Sequence, residues 1–277
     1  MNRREFLAGT AAALTAAHVM ADPLGLPIGC QTYPVRDAIG KDFDGTLKTL
    51  EGAGFQAIEM CSPPGYASSG FGPLAGMKAA EMRSRIEAAG LRCESCHYQF
   101  KELKENLDER IAFAKELGLK QMVLSTFGLR KDATLSDWTR AAGELNDIGE
   151  KTMTAGIQLG YHNHDGEFQE IDRVLPYDSL MRTFDPKLVK MQFQTSVVSL
   201  GFQAATYFRK YPGRFLSIHV ADWSSAEKKQ VAVGQGVIDW KELFGAAKGA
   251  GVRNYFVEMN LDLMRASMPY LKAMKAS

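Results

Sequence analysis

The chain has no surplus of charge of either sign. Lys and Arg together number 33 against 32 Asp and Glu, a net charge of +1. That balance excludes the basic surface that would neutralise nucleic-acid phosphates, and nothing resembles an acidic tail. There is no low-complexity tract, and no composition shift divides the chain. No stretch is long and apolar enough to span a bilayer, which takes roughly 20 residues. Cysteine is sparse, at Cys30, Cys61, Cys93 and Cys96. The last two have C-x-x-C spacing, but on an expected strand rather than at a helix start. They therefore read as small core residues, not as a redox pair or zinc ribbon. With 45% hydrophobic residues in 277, the remainder is ample for one large core.

The N-terminus is set apart. Met1-Asn2-Arg3-Arg4-Glu5-Phe6-Leu7 places two arginines before an apolar pair, and an Ala-rich run follows to Val19-Met20-Ala21. This reads as a twin-arginine export signal over residues 1–21, cleaved after Ala21. The mature domain is then residues 22–277, exported to the periplasm and without a membrane span.

One junction recurs along that domain: a helix end, a glycine, then an apolar run. It stands at Ala53-Gly54-Phe55, Ala89-Gly90-Leu91, Leu117-Gly118-Leu119, Ala155-Gly156-Ile157 and Ala250-Gly251-Val252. Glycine just after a helix takes the left-handed cap without a Cβ penalty. The runs that follow are short and apolar, as buried parallel strands are. They predict strands over 57–60, 92–96, 121–124, 158–162 and 255–258. Runs at 28–32, 189–194 and 215–219 bring the set to eight. Helical patterns separate them. Eight alternating strand–helix units in about 250 residues predict a single α/β domain, a (β/α)8 TIM barrel.

In such a barrel the C-terminal strand ends converge on one mouth. Gln31, Tyr33, Glu59, His97, His162, Asn163, His164, Gln194, His219 and Glu258 all fall there. Imidazoles and carboxylates from several strands suit a divalent cation such as Mn2+, Co2+, Zn2+ or Mg2+. Glu59 is expected to pair with a neighbouring cation, and Glu167, just past the fifth strand, lies within reach of a substrate hydroxyl. The Gly-rich segment 233–239 lacks a phosphate-loop fingerprint and reads as a turn closed by Asp239 at a helix start.

Several blocks together resemble the sugar phosphate isomerase/epimerase family, the xylose-isomerase-like TIM barrels. They are Gln31-Thr32-Tyr33-Pro34-Val35-Arg36-Asp37, Tyr161-His162-Asn163-His164-Asp165 with Glu167-Phe168, and Tyr211-Pro212-Gly213-Arg214-Phe215. His219 to Asp222, Val233 to Asp239 and Phe256-Val257-Glu258 complete them. The similarity runs from about Ile28 to the C-terminus. It implies a metal held by one side chain from each of the last four strands, here His162, Gln194, His219 and Glu258. It implies Glu258 as the catalytic base, with Glu167 or His97 second. Substrate contacts are then expected from Gln31, Tyr33, His97, Asn163, His164 and Glu167.

The sequence departs from the family pattern at Gln194, where an acid is usual, at Ala221 and at Asn260. A neutral Gln leaves the site one formal negative charge short and weakens it for hard cations. The implied activity is metal-dependent isomerisation or epimerisation of a small-molecule sugar by proton abstraction next to a carbonyl. A keto-glycoside lyase or hydrolase on the same scaffold is the alternative. An exported carbohydrate-binding or accessory protein with a decayed site is the other. Oligomer formation is left open by the sequence.

Overall fold

The computed structural model describes residues 23–274, so the expected export signal at 1–21 lies outside the described residues. The buried apolar runs form strands β1 (Ile28–Gln31), β2 (Ala57–Cys61), β3 (Arg92–Tyr98) and β4 (Gln121–Leu124). They continue as β5 (Gln158–His162), β6 (Val189–Gln194), β7 (Phe215–Val220) and β8 (Asn254–Val257). Neighbours pair in parallel, and β1 pairs with both β2 and β8, which closes the barrel. This is the (β/α)8 architecture the alternation predicts.

The glycines of the recurring junction hold the left-handed conformation there: Gly54 at φ 103°, Gly90 at 81°, Gly118 at 91°, Gly156 at 80° and Gly251 at 93°. Each turns the chain from an outer helix back into the barrel. A different glycine serves the interior. A Cβ on Gly29 of β1 would stand 2.6 Å from the ring of Phe256 on the adjacent strand, so only glycine leaves room for that ring there. Phe256 in turn lies edge-on to His219, with ring centres 6.3 Å apart.

The outer helices begin where their caps say. Thr134 and Asp137 form a reciprocal capping box at the start of Leu135–Thr154. Asp239 accepts from the Glu242 amide at the start of Trp240–Ala250. Elements with too few residues to show a period were not legible. They include the short helices Arg36–Lys41 and Phe100–Glu105, and a hairpin pairing Asp222–Ser224 with Lys229–Val231.

The 233–239 segment is the turn expected, and its organiser is Asp222. That buried carboxylate accepts from the amides of Gly234 (2.9 Å) and Gly236 (3.1 Å) and from the Trp240 indole (2.8 Å). A Cβ on Gly236 would sit 2.0 Å from an Asp222 oxygen, so the glycines wrap a carboxylate, not a phosphate. All four cysteines are free thiols. Burial pushes the Cys96 thiol far above its usual range, which removes the C-x-x-C pair from thiolate chemistry.

Candidate active site

Side chains of a parallel strand alternate faces, so residues two apart point the same way. On β3, β6 and β7 this places Ser95 beneath His97, Gln192 beneath Gln194 and Ser217 beneath His219. The lower layer is a polar plug centred on Glu59, which is fully buried. Glu59 Oε2 accepts from Gln31 Nε2 at 2.7 Å and from His219 Nε2 at 2.5 Å, with His97 Nε2 at 3.2 Å. Glu59 Oε1 accepts from Gln192 Nε2 at 2.8 Å and from the Ser95 hydroxyl. The sheet register shifts between Ile58 and Glu59, and again between Met191 and Gln192, so each bonded partner sits at a bulge.

Above the plug three imidazoles pack together. His97 stacks on His219 with ring centres 5.0 Å apart and planes 12° from parallel. His162 is tilted against both, at 5.1 Å from His97 and 4.4 Å from His219. One nitrogen from each ring lies within 4.8 Å of the other two, a spacing compatible with a shared metal ion.

His219 faces a carboxylate at each ring nitrogen: Glu59 on Nε2 and Glu258 on Nδ1, the latter at 2.9 Å. Burial opposes its charge, but the two carboxylates more than offset that and raise its pKa to about 10. Burial likewise pushes Glu59 and Glu258 up, and the neighbouring imidazoles override it, His97 and then His219 at Glu59, His219 at Glu258, holding both below the usual carboxylate range. His162 has the opposite fate. Burial, and then the neighbouring imidazoles, hold it neutral far below the ordinary histidine range. Its Nδ1 is buried without a hydrogen-bond partner. An orphaned nitrogen on His162, with ring nitrogens of His97 and His219 close by, is a donor set that fits a borderline divalent cation, which would bind in exchange for the His219 proton.

A cavity of about 180 Å³ opens on this cluster, lined by Tyr33, Tyr66, His97, Gln99, Ser125, Thr126, His162, His164 and Glu258. Of the expected site residues, Tyr33, His97, His162, His164 and Glu258 line it. His219 lies just beneath, fully buried.

Gln194 reaches Glu258 with its amide nitrogen at 2.5 Å, while its oxygen accepts from the Ser196 amide at 3.3 Å. The histidines expected to share a metal with Gln194 and Glu258 are thus joined by His97, and Gln194 and Glu258 bond to each other at the edge.

Gln31 does not line the cavity. It is buried, its nitrogen on Glu59 and its oxygen on the Thr32 amide at 2.6 Å. Asn163 is buried too, accepting from the Gln194 amide at 3.1 Å. Glu167 turns inward to the Tyr161 hydroxyl (2.5 Å) and the His164 amide (2.9 Å), and burial raises its carboxyl to about 7. The plug residues Ser95, Gln192 and Ser217 were not anticipated. The available signal was a polar residue two places before an expected site residue in an otherwise apolar strand.

Comparison with known proteins agrees with this architecture. Residues 47–274 match the family described as the xylose isomerase-like TIM barrel. An inosose dehydratase of Lacticaseibacillus casei is 27% identical over 171 residues, covering 55% of this chain and 56% of that protein. The chain thus spans little more than half the length of that relative. A sugar phosphate isomerase/epimerase structure from Parabacteroides distasonis aligns with a TM-score of 0.75 at 23% identity, over 96% of this chain and 98% of its own. A xylose isomerase-like TIM barrel protein from Mycobacterium smegmatis, solved in complex with magnesium, gives 0.64 at 14% identity, over 89% and 95%.

Proposed function

This chain belongs to the xylose isomerase-like TIM barrel family, and on that premise we propose that it removes a proton from the carbon next to a carbonyl of a keto- or aldo-sugar or a related cyclic polyol, with Glu258 as the base. One observation carries this reading. The Glu258 side chain stays 19% exposed at the cavity while Gln194 and His219 fix its direction. The neighbouring carboxylate, Glu59, has no exposure at all and cannot reach a substrate. Without a metal, the charged His219 holds Glu258 below the usual carboxylate range, so the base is ionised at neutral pH; a divalent ion on these imidazoles would take the place of the His219 proton and supply the positive charge instead.

His97, His162 and His219 would hold a divalent ion, which when bound supplies Lewis-acid polarisation of the carbonyl and the adjacent hydroxyl. Tyr33 and His164 line the same cavity and would orient the sugar, and Glu167 positions His164 through its backbone amide. Glu258 takes the proton. Its return to the neighbouring carbon isomerises, and its return to the opposite face epimerises. Departure of a β-hydroxyl instead gives dehydration, a reading supported by the relative named inosose dehydratase. Export along the twin-arginine route belongs to the same proposal. It is tested by periplasmic fractionation of the natural chain against one carrying Arg3→Lys and Arg4→Lys.

The chemical test is proton NMR of keto-sugars and keto-inositols incubated in D2O with the protein. Loss of the signal next to the carbonyl supports the reading, and the product distinguishes the three outcomes. A panel with no exchange at any substrate refutes it. Elemental analysis of protein purified without chelator should find about one divalent ion per chain, with His162→Ala losing it. Full retention of the ion by His162→Ala would remove that residue from the metal centre.

A further inference from the structure

The 180 Å³ cavity over Glu258 is smaller than the roughly 300–1,000 Å³ of ordinary small-molecule sites. Beside it lies a second chamber of about 700 Å³. The two share Thr126 and His164 in their walls, so they adjoin at those residues.

The larger chamber has a built character. One wall carries Trp138 and Leu129, both half-buried against the core. Trp138 lies in the first turn of the helix Leu135–Thr154, a turn pinned by the Thr134–Asp137 capping box, and its ring sits edge-on to Phe127 at 6.1 Å. Gln169, Glu170 and Ile171 also line the chamber. That segment is held by a tight reversal. Ile171 and Val174 exchange backbone hydrogen bonds of 3.0 and 2.9 Å around Asp172 at φ 50° and Arg173 at φ 65°. Two successive non-glycine residues in the left-handed region are costly. A two-residue reversal of this type requires them at both central positions, so the turn fixes the segment that carries Gln169 to Ile171.

The lining thus offers an indole together with an exposed amide and carboxylate. The apolar face of a sugar ring stacks on the first, and its hydroxyls bond to the second. The charges speak against a phosphate. Arg130 is closed onto Asp132 by bonds of 3.0 and 2.8 Å, and Glu170 shares the lining with Lys131.

We propose that the substrate is a two-ring glycoside or glycoconjugate: the reacting sugar occupies the small cavity over Glu258, and a second neutral ring lies in the larger chamber lined by Trp138 and Gln169. This rests on the function proposed above for Glu258, and it names the substrate class for that site. Thr126 and His164 then mark the passage of the linking atoms.

The test is calorimetric titration of the full chain with glucose, glucose 6-phosphate, maltose, cellobiose and phenyl β-glucoside. At least one two-ring compound should bind about tenfold or more tighter than glucose. Gln169→Ala and Glu170→Ala, both at exposed positions and therefore tolerable to the fold, should bring the ratio of the two affinities towards one. Trp138→Phe should reduce it in part. Equal affinities for one ring and two, a preference for glucose 6-phosphate, no binding by any two-ring compound, or variants that weaken glucose and glycoside alike would each overturn the proposal. Glu258→Gln separates it from the reading it rests on. That variant should keep the two-ring preference while losing exchange, so a failure of exchange chemistry alone leaves the chamber assignment standing.

Discussion

Glu59 accepts from Gln31, Ser95, Gln192 and His219 and has no exposed surface, whereas Glu258, across the same imidazole, opens on the cavity. The two glutamates flank His219 and do different work. Removing Glu59 strands a buried imidazolium and several amide and hydroxyl donors. Glu59→Ala should therefore cost about 3–5 kcal/mol in chemical denaturation, and a loss below about 1 kcal/mol would contradict the plug described here.

Glu167 gives a pH signature. Its folded-state carboxyl is raised from 4.5 to about 7, so the folded protein holds a proton that the unfolded chain has released. The stability that proton contributes is complete below about 4.5 and is lost as pH rises through about 7. Subtracting the stability curve of Glu167→Gln from that of the natural chain should leave a decline across this window. A flat difference would mean that the carboxyl titrates normally.

At the scale of elements, the repeated glycine junctions were legible because a left-handed cap has a residue signature, and the structure holds Gly54, Gly90, Gly118, Gly156 and Gly251 in that conformation. The cap at Asp239 was legible for the same reason. The polar plug was not. It depends on register shifts at Glu59 and Gln192 that leave no trace in composition, and on which strands become neighbours on closure. The expected substrate contacts at Gln31 and Asn163 illustrate this. Both stand at strand ends, as the sequence indicates, yet closure turns their amides onto the barrel's own groups. Asp222 was visible as part of a motif, but its role in gathering Gly234, Gly236 and Trp240 was not. Asp222→Ala leaves those buried donors unpaired and should lower stability by about 3 kcal/mol, read as a shifted denaturation midpoint. An unchanged midpoint would show that the turn holds without its carboxylate.

At the scale of the molecule, closure of eight parallel strands brings His97, His162, His219 and Glu258 from four strands into one cluster at the mouth. The class of fold was legible in the alternation of eight strand–helix units. The chemistry required the closed barrel, because no two of those residues are near neighbours in sequence. The claim at the centre is that Glu258 moves a proton at carbon. The direct measurement is the rate of solvent deuterium entering the position next to the carbonyl of a bound keto-sugar, with natural protein and with Glu258→Gln at equal metal content. The variant should be slower by about 100- to 10,000-fold. Equal rates would contradict the assignment of Glu258 as the base.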